Sequence, residues 1–321
     1  MGPSTIYTRF WRRQWGRWVS NPVFRASPIS PSLTYTPASW SNGFQHAEDH
    51  DSWAELRAST GDARQMKIAV FGLGYVGVTA MCCMAKSGHT VLGFDVNAEK
   101  VWAVSRGISP IVEPQIPELL SYAVRSGLIT ALAAVDDHLF DCDIAVVCVG
   151  TPSGPDGSHD MSYIIAVTRQ IAAAVRGRET PLTVVYRSTF RPGIMEELIG
   201  PTFAVELGSE WPDLVELVYN PEFLRESSAV NDYFAPPRIV IGTADGQGSA
   251  RMDALYEGIA APRFNVRFGE AEITKLVDNS WHAIKVAYAN EIGRLCLQLG
   301  LSARQVHEIF VSDTKLNIST Y

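Results

Sequence analysis

The run Met66-Lys-Ile-Ala-Val-Phe-Gly-Leu-Gly-Tyr-Val-Gly77 constrains the fold of this chain more than any other stretch. Ile68 to Phe71 is a short apolar run that reads as a buried strand. It breaks into G-x-G-x-x-G at Gly72, Gly74 and Gly77, and Val76 to Lys86 then reads as a helix. Gly72 permits the tight turn, Gly74 lets the backbone approach a pyrophosphate, and Gly77 lets helix and strand pack closely. The pyrophosphate would sit on the helix N-terminus, where unpaired N–H groups and the helix dipole favour anions. A second strand pattern, Thr90 to Asp95, ends in a carboxylate about 20 residues on, the place for an acid accepting the adenosine ribose hydroxyls. An acid there repels a 2′-phosphate and no arginine follows directly, so NAD is expected over NADP, although Lys100 lies close by.

The strand-like segments continue at 143–149, 182–187, 215–219, 238–242 and 264–268, with helical patterns between most of them. This alternation predicts right-handed βαβ units and an α/β, Rossmann-like, doubly wound, mainly parallel sheet over 66–268. From about Glu270 the pattern changes to one long helix, Ala271 to Leu299, and a second runs from an N-cap at Ser302 to about Ser312. Such a length suggests a spine between domains or subunits.

Composition narrows the classes. At 321 residues and 46% hydrophobic content the chain can bury a sizeable core, and a net charge of −7 argues against a general nucleic-acid binder. No apolar run approaches the roughly 18–20 residues that span a bilayer. Cys82, Cys83, Cys142, Cys148 and Cys296 lack C-x-x-C spacing, which suggests reduced thiols in a cytoplasmic protein with neither disulfides nor a metal site. Residues 1–47 hold five Arg and no Asp or Glu. That start fits an organelle transit peptide or a stretch upstream of the working start at Met66; residues 1–65 are expected to be a dispensable, disordered extension.

Three constellations carry chemistry. Thr151 and Thr189 end the strands of Val146-Val-Cys-Val-Gly-Thr-Pro-Ser153 and Val184-Val-Tyr-Arg-Ser-Thr189, so both would face the cofactor, although either alone is an ordinary turn residue. In Asn220-Pro-Glu-Phe-Leu-Arg-Glu-Ser227, Asn220 reads as an N-cap and Pro221 as the first helical residue. Glu222 and Glu226 would then share a helix face, either as dipole-complementing acids or as groups that hold or deprotonate a water or alcohol. Lys275, Asn279 and His282 line one stripe of the long helix. That stripe is either a solvated face or a set of donors to an alkoxide or oxyanion.

With these pieces in order, the chain from Met66 to Tyr321, about four-fifths of the whole, resembles the nucleotide-sugar 6-dehydrogenase family, on the side of its GDP-mannose branch. The glycine turn, Ser109-Pro-Ile-Val-Glu-Pro114, Cys148 to Ser153, Arg187-Ser-Thr189, Asn220 to Ser227, Lys275 to Asn279, Trp281-His282, Ala289-Asn-Glu291 and Lys315-Leu-Asn317 carry the resemblance. It implies oxidation of a sugar C6 alcohol to a carboxylate with two NAD, as in supplying an alginate-type polysaccharide, with GDP-mannose favoured over UDP-glucose. By motif, Tyr75, Val76, Asp95, Lys100, Thr151 and Thr189 would bind NAD. Glu226, Lys275, Asn279, His282, Asn290 and Tyr321 would contact the nucleotide sugar. Lys275 and Asn279 would steady the oxyanion, and Glu222, Glu226 and Thr189 would position a water.

The resemblance also implies a central helical, dimerising domain, here 269–321 and incomplete, and a homodimer or higher homo-oligomer built on the long helix. The family's thiolate lies in a Gly-Gly-Ser-Cys motif shortly beyond the segment matching Tyr321, so the chain reads as an N-terminal portion, without the nucleotide-sugar-binding domain and unable to complete turnover. The competing readings are a β-hydroxyacid-type dehydrogenase, which also places Lys-x-x-x-Asn on a helix, and a non-catalytic NAD-binding fragment.

Overall fold

The computed structural model describes residues 65–154 and 158–313. The expected extension at 1–65, the Lys315-Leu-Asn317 segment and Tyr321 lie outside the described residues, save Gln65.

Eight strands form one sheet in the order β3-β2-β1-β4-β5-β6-β7-β8. They are β1 (Lys67–Phe71), β2 (Thr90–Phe94), β3 (Ile129–Leu132), β4 (Ile144–Val147), β5 (Leu182–Tyr186), β6 (Val215–Tyr219), β7 (Ile239–Thr243) and β8 (Arg263–Arg267). β1 to β6 are parallel throughout. β7 runs antiparallel to β6 through the single pair Tyr219↔Gly242, and β8 is parallel to β7. The Rossmann-like expectation therefore holds, and the strands predicted from sequence match to within two residues at each end. β3 was not predicted. Four residues with alternating burial at a sheet edge give too short a signal.

Both faces of the sheet's centre are covered, which is why a strand such as β4 reads as an unbroken apolar run, whereas the edge strand β8 is largely exposed. Ile68 and Val70 of β1 face a core shared with α1 (Tyr75–Lys86) and α3 (Ile116–Arg125); Ala69 and Phe71 face the opposite core, with α4 (Ser162–Ala174) and α5 (Gly200–Leu207). The remaining helices are α2 (Ala98–Ser105), α6 (Trp211–Leu214), α7 (Ala229–Phe234), α8 (Ala250–Leu255), α9 (Phe268–Leu299) and α10 (Ala303–Val311).

The predicted long helix is α9, 32 residues ended by Gly300 at φ +66°. Its first two turns dock on the sheet, where Phe268, Ala271, Glu272 and Lys275 are buried. Gly242 makes the approach possible, because a Cβ there would lie 2.6 Å from the Ala271 Cβ. Past Lys275 the helix leaves the core, and Val277, Trp281, Ile284 and Tyr288 are exposed. Ser302 caps α10 by accepting from the Gln305 N–H, as its sequence position predicts. No helix among the described residues is long and apolar enough to cross a membrane.

The segment Asn220–Ser228 departs from its sequence reading. It is irregular, with a turn at 226–227, so Glu222 and Glu226 do not share a helix face. Several backbone donors here and just beyond go to carboxylates, not to carbonyls four residues back. Leu224 N–H donates to Glu222, Arg225 N–H to Asp232, and Ser227 and Ala229 N–H to Glu113. Nor is Asn220 a cap: its amide donates to the Val240 carbonyl at 2.8 Å and accepts from the Tyr256 hydroxyl at 2.6 Å.

Candidate active site

The three glycines of the β1–α1 turn meet three different demands. Gly72 has φ +98°, and its N–H donates to the Phe94 carbonyl at 2.7 Å. A Cβ on Gly77 would lie 1.8 Å from the Gly72 carbonyl oxygen, so only glycine lets α1 sit this close to β1. A Cβ on Gly74 would meet nothing within 4 Å. Gly74 is also the N-cap of α1 and supplies no side-chain acceptor. No side chain caps the start of α1 and the space beside Gly74 is open, an arrangement that leaves room for an anion at the helix N-terminus. Tyr75 and Val76 are the first two residues of that helix.

Asp95 follows β2 and closes the other side of this cradle. Its Oδ2 accepts from the Leu73 N–H at 2.7 Å, and its Oδ1 accepts from the Asn97 N–H at 2.8 Å. Lys100 Nζ lies 3.7 Å from Oδ2, so the nearest cation is already engaged by the acid. Open backbone at Gly74, an uncapped helix start and an acid at the end of β2 fit the pyrophosphate and ribose of NAD. At the ends of β4 and β5, the Thr151 hydroxyl donates to the Thr189 carbonyl at 3.0 Å, which makes the two strand-end threonines neighbours.

Lys275 and Glu222 form the charged centre. Lys275 Nζ donates to Glu222 Oε1 at 2.7 Å and to the Glu222 carbonyl at 2.6 Å. Their side chains are only 8% and 12% exposed, so this is a largely desolvated pair, for which losing one partner is costly. Phe223 lies between two cations, with Arg238 4.0 Å and Lys275 5.7 Å from its ring centre. Glu222 also lines a small cleft together with Arg187, Asn220, Arg238 and Tyr256.

The other predicted residues stand apart from this pair. Asn279 is one turn beyond Lys275 on α9 and is exposed, as are His282 and Asn290. At 1.5 Å per residue, Asn290 lies roughly 22 Å along the axis from Lys275. Glu226 is exposed on the turn of its loop, where its charge reaches Tyr75. All five cysteines are free thiols. Burial pushes Cys82 and Cys148 up to about 12, Cys142 up to about 11, and Cys83 well above its ordinary value.

Three carboxylates that matter here were not singled out from the sequence. Asp232, 4% exposed, accepts from Arg225 and the Ser228 hydroxyl; burial pushes its carboxyl up, but these bonds outweigh it and the net shift is downward. Glu113 is held low in the same way: burial raises it, and bonds from Tyr75, Ala229 and Ser227 lower it further. Glu272, one turn before Lys275, accepts from the Gly193 N–H at 2.6 Å and the Met195 N–H at 2.8 Å. That fastens the loop after Thr189 to the base of α9, and here burial prevails, leaving the carboxyl raised. Glu272 had one sequence signal, its i, i−3 position on the Lys275 stripe. Glu113 lies in the Ser109–Pro114 motif, which marks the segment but not the partners of its carboxylate, and Asp232 had no signal, because its partners are fixed only by the fold.

Residues 66–260 match the NAD binding domain of the UDP-glucose/GDP-mannose dehydrogenase family, and residues 269–321 match its central domain. GDP-mannose 6-dehydrogenase of Azotobacter vinelandii is 39% identical over 264 residues, covering 80% of this chain and 59% of that protein. UDP-glucose 6-dehydrogenase YwqF of Bacillus subtilis is 34% identical, covering 75% of this chain and 53% of that protein. Among solved structures, a ternary complex of GDP-mannose dehydrogenase from Pseudomonas aeruginosa matches with TM-score 0.76 and 38% identity, covering 80% of this chain and 59% of the other. The chain thus spans about three-fifths of the length of the GDP-mannose relatives it matches.

Proposed function

The chain belongs to the UDP-glucose/GDP-mannose dehydrogenase family, and from that premise we propose that it serves the NAD-dependent oxidation of the C6 alcohol of a nucleotide sugar, GDP-mannose before UDP-glucose. The observation that carries the reading is the desolvated Lys275–Glu222 pair beside the strand ends of a dinucleotide-binding sheet. The choice of sugar rests on relatives: the GDP-mannose enzymes matched are 37–39% identical to this chain, the UDP-glucose enzymes 32–35%.

NAD, when bound, supplies the hydride acceptor. The residues of this chain do the rest. Gly72, Gly74, Tyr75, Val76 and Gly77 present backbone to the pyrophosphate, Asp95 holds the ribose hydroxyls with Lys100 beside it, and Thr151 and Thr189 line the cofactor's side of β4 and β5. The Lys275 ammonium, oriented by Glu222, donates to the sugar oxygen as it loses its proton, and Asn279 adds a second donor. Glu222 is placed to hold a water or take a proton at that oxygen, with Glu226 and Thr189 completing the water site. Glu226, His282, Asn290 and Tyr321 contact the nucleotide sugar, with Asn290 reaching its far end.

Oxidation beyond the aldehyde needs a thiolate. Cys82, Cys83, Cys142 and Cys148 are held protonated in or beside the Rossmann core, and Cys296 is buried far along α9. The 321 residues are therefore proposed to bind NAD and activate the alcohol without completing turnover alone. The exposed apolar row Val277, Trp281, Ile284 and Tyr288 is proposed to pair α9 with a second copy, and the free thiols suit the cytoplasm. The test is NAD titration followed by assay of NADH formation with GDP-mannose, UDP-glucose and a small β-hydroxyacid. NAD binding with no sustained turnover supports the reading. Steady uronate formation removes its second half, and β-hydroxyacid oxidation overturns it.

A further inference from the structure

Two non-glycine residues have positive φ among the described residues, Gln115 at 69° and Ser227 at 71°. They are far apart in sequence, and one side chain lies between them. Glu113, two residues before Gln115, accepts the Ser227 N–H at 2.8 Å through Oε2 and the Ala229 N–H at 2.9 Å through Oε1. Oε2 also accepts the Tyr75 hydroxyl at 2.7 Å. The residue is 4% exposed, so these bonds stand in place of water. Tyr75 opens the helix whose N-terminus faces the dinucleotide cradle, whereas Ser227 lies near the end of the loop that carries Glu222 and Glu226, and Ala229 opens α7 directly after it. Backbone held in a strained region on both sides persists only where its surroundings fix it, and such places cluster at clamps and switches.

We propose that Glu113 is a positioning residue that couples the dinucleotide turn to the loop of Glu222 and Glu226. Seating a pyrophosphate against α1 fixes Tyr75, Tyr75 fixes Glu113, and Glu113 orders the loop that is to receive the sugar. The inference rests on the reading of the glycine turn as the NAD site. Such coupling is reciprocal: whatever orders the loop tightens NAD binding by the same factor. A purely structural fastener would hold the loop equally well with and without NAD.

The test is amide hydrogen exchange over residues 222–229 in the 321-residue chain, with and without NAD, for wild type, Tyr75→Phe, Glu113→Gln and Glu113→Ala. In wild type, NAD should slow exchange at Ser227 and Ala229 by about fivefold or more. Tyr75→Phe should keep the protection seen without NAD, since Glu113 still accepts both N–H groups, and should lose the NAD-induced increment. Glu113→Ala should lose both effects, and Glu113→Gln, which retains one acceptor, should fall between. An unchanged NAD increment in Tyr75→Phe would overturn the coupling, and unchanged protection in Glu113→Ala would overturn the clamp itself. Should Glu113→Ala fail to fold, Tyr75→Phe decides alone, since it removes one hydroxyl. Failure of wild type to bind NAD in a fluorescence titration would overturn the NAD reading and the coupling with it; binding with no increment overturns the coupling only.

Discussion

Alanine at Gly77 would place a Cβ 1.8 Å from the Gly72 carbonyl oxygen and 3.4 Å from the Cys148 Cβ. The closest atom is backbone, so no side chain can swing aside. The first contact must lengthen to at least 3.0 Å, which lifts α1 from β1 and disturbs the packing of Val78, Met81 and Cys82. Overpacking of this kind costs about 3 kcal/mol or more. For a domain of this size that is a fall in Tm of roughly 6–12 °C.

Gly74→Ala should behave in the opposite way. The added methyl meets nothing within 4 Å, and the backbone sits at φ −91°, which alanine adopts freely. The remaining cost is a poorer N-cap, about 0.5 kcal/mol, or a Tm change of about 1–2 °C. That methyl does occupy the space the pyrophosphate needs. NAD at a hundred times its Kd stabilises the folded chain by about 2.7 kcal/mol, a rise of roughly 5–10 °C, and Gly74→Ala should lose most of it. Thermal melts of the three proteins with and without NAD decide the matter. A Gly77→Ala protein that melts within 2 °C of wild type, or a Gly74→Ala protein with the full NAD shift, would refute the assigned roles.

Lys275→Met should leave Glu222 buried without its cation and destabilise the chain by about 3 kcal/mol, readable in urea melts; restoring that loss with the double variant Lys275→Met/Glu222→Gln would confirm the pair as its source. Asp232 and Glu113 have carboxyls held below their ordinary values of 3.8 and 4.5, so their contribution is complete above about pH 4.5 and is lost as pH falls through their lowered values. Asp232→Asn should accordingly flatten the rise of Tm with pH below about pH 4; a slope equal to wild type there would show that Asp232 is not a source of acid sensitivity. Ile284→Glu should convert a dimer to a monomer in sedimentation velocity, and a wild type that is already monomeric would remove α9 as the pairing surface.

What the sequence reveals here is what neighbours along the chain decide. The three glycines, the N-cap of α10 and the acid after β2 each act through contacts within one supersecondary unit, so spacing alone exposes them. The charged centre is different. Lys275 and Glu222 are 53 residues apart, and each has an ordinary helical reading until the fold joins them. Asn220-Pro221 shows how a sound local rule is overruled. The pattern is that of a helix start, but the donors such a helix would use are taken by Asp232 and by Glu113, which lies 114 residues from Ser227. A buried carboxylate accepting two backbone N–H groups outcompetes the gain of nucleating one turn.

The antiparallel step in the sheet bears on how the molecule comes apart. β5–β6 and β7–β8 are each registered over five residue pairs, whereas β6 and β7 share one. The sheet is thus two plates joined along a narrow seam, and the loop of Glu222 crosses it. Asn220 acts as the stitch, bonded to Val240 on the far plate and to Tyr256 beneath it. Because Lys275 rides on the far plate and Glu222 leaves the near one, the charged pair also spans the seam. Under pulling force the plates should part only once the Asn220 bond to Val240, the Lys275–Glu222 pair and the Glu272 bonds to Gly193 and Met195 give way, because all three tie β7, β8 and the base of α9 to the six-stranded plate.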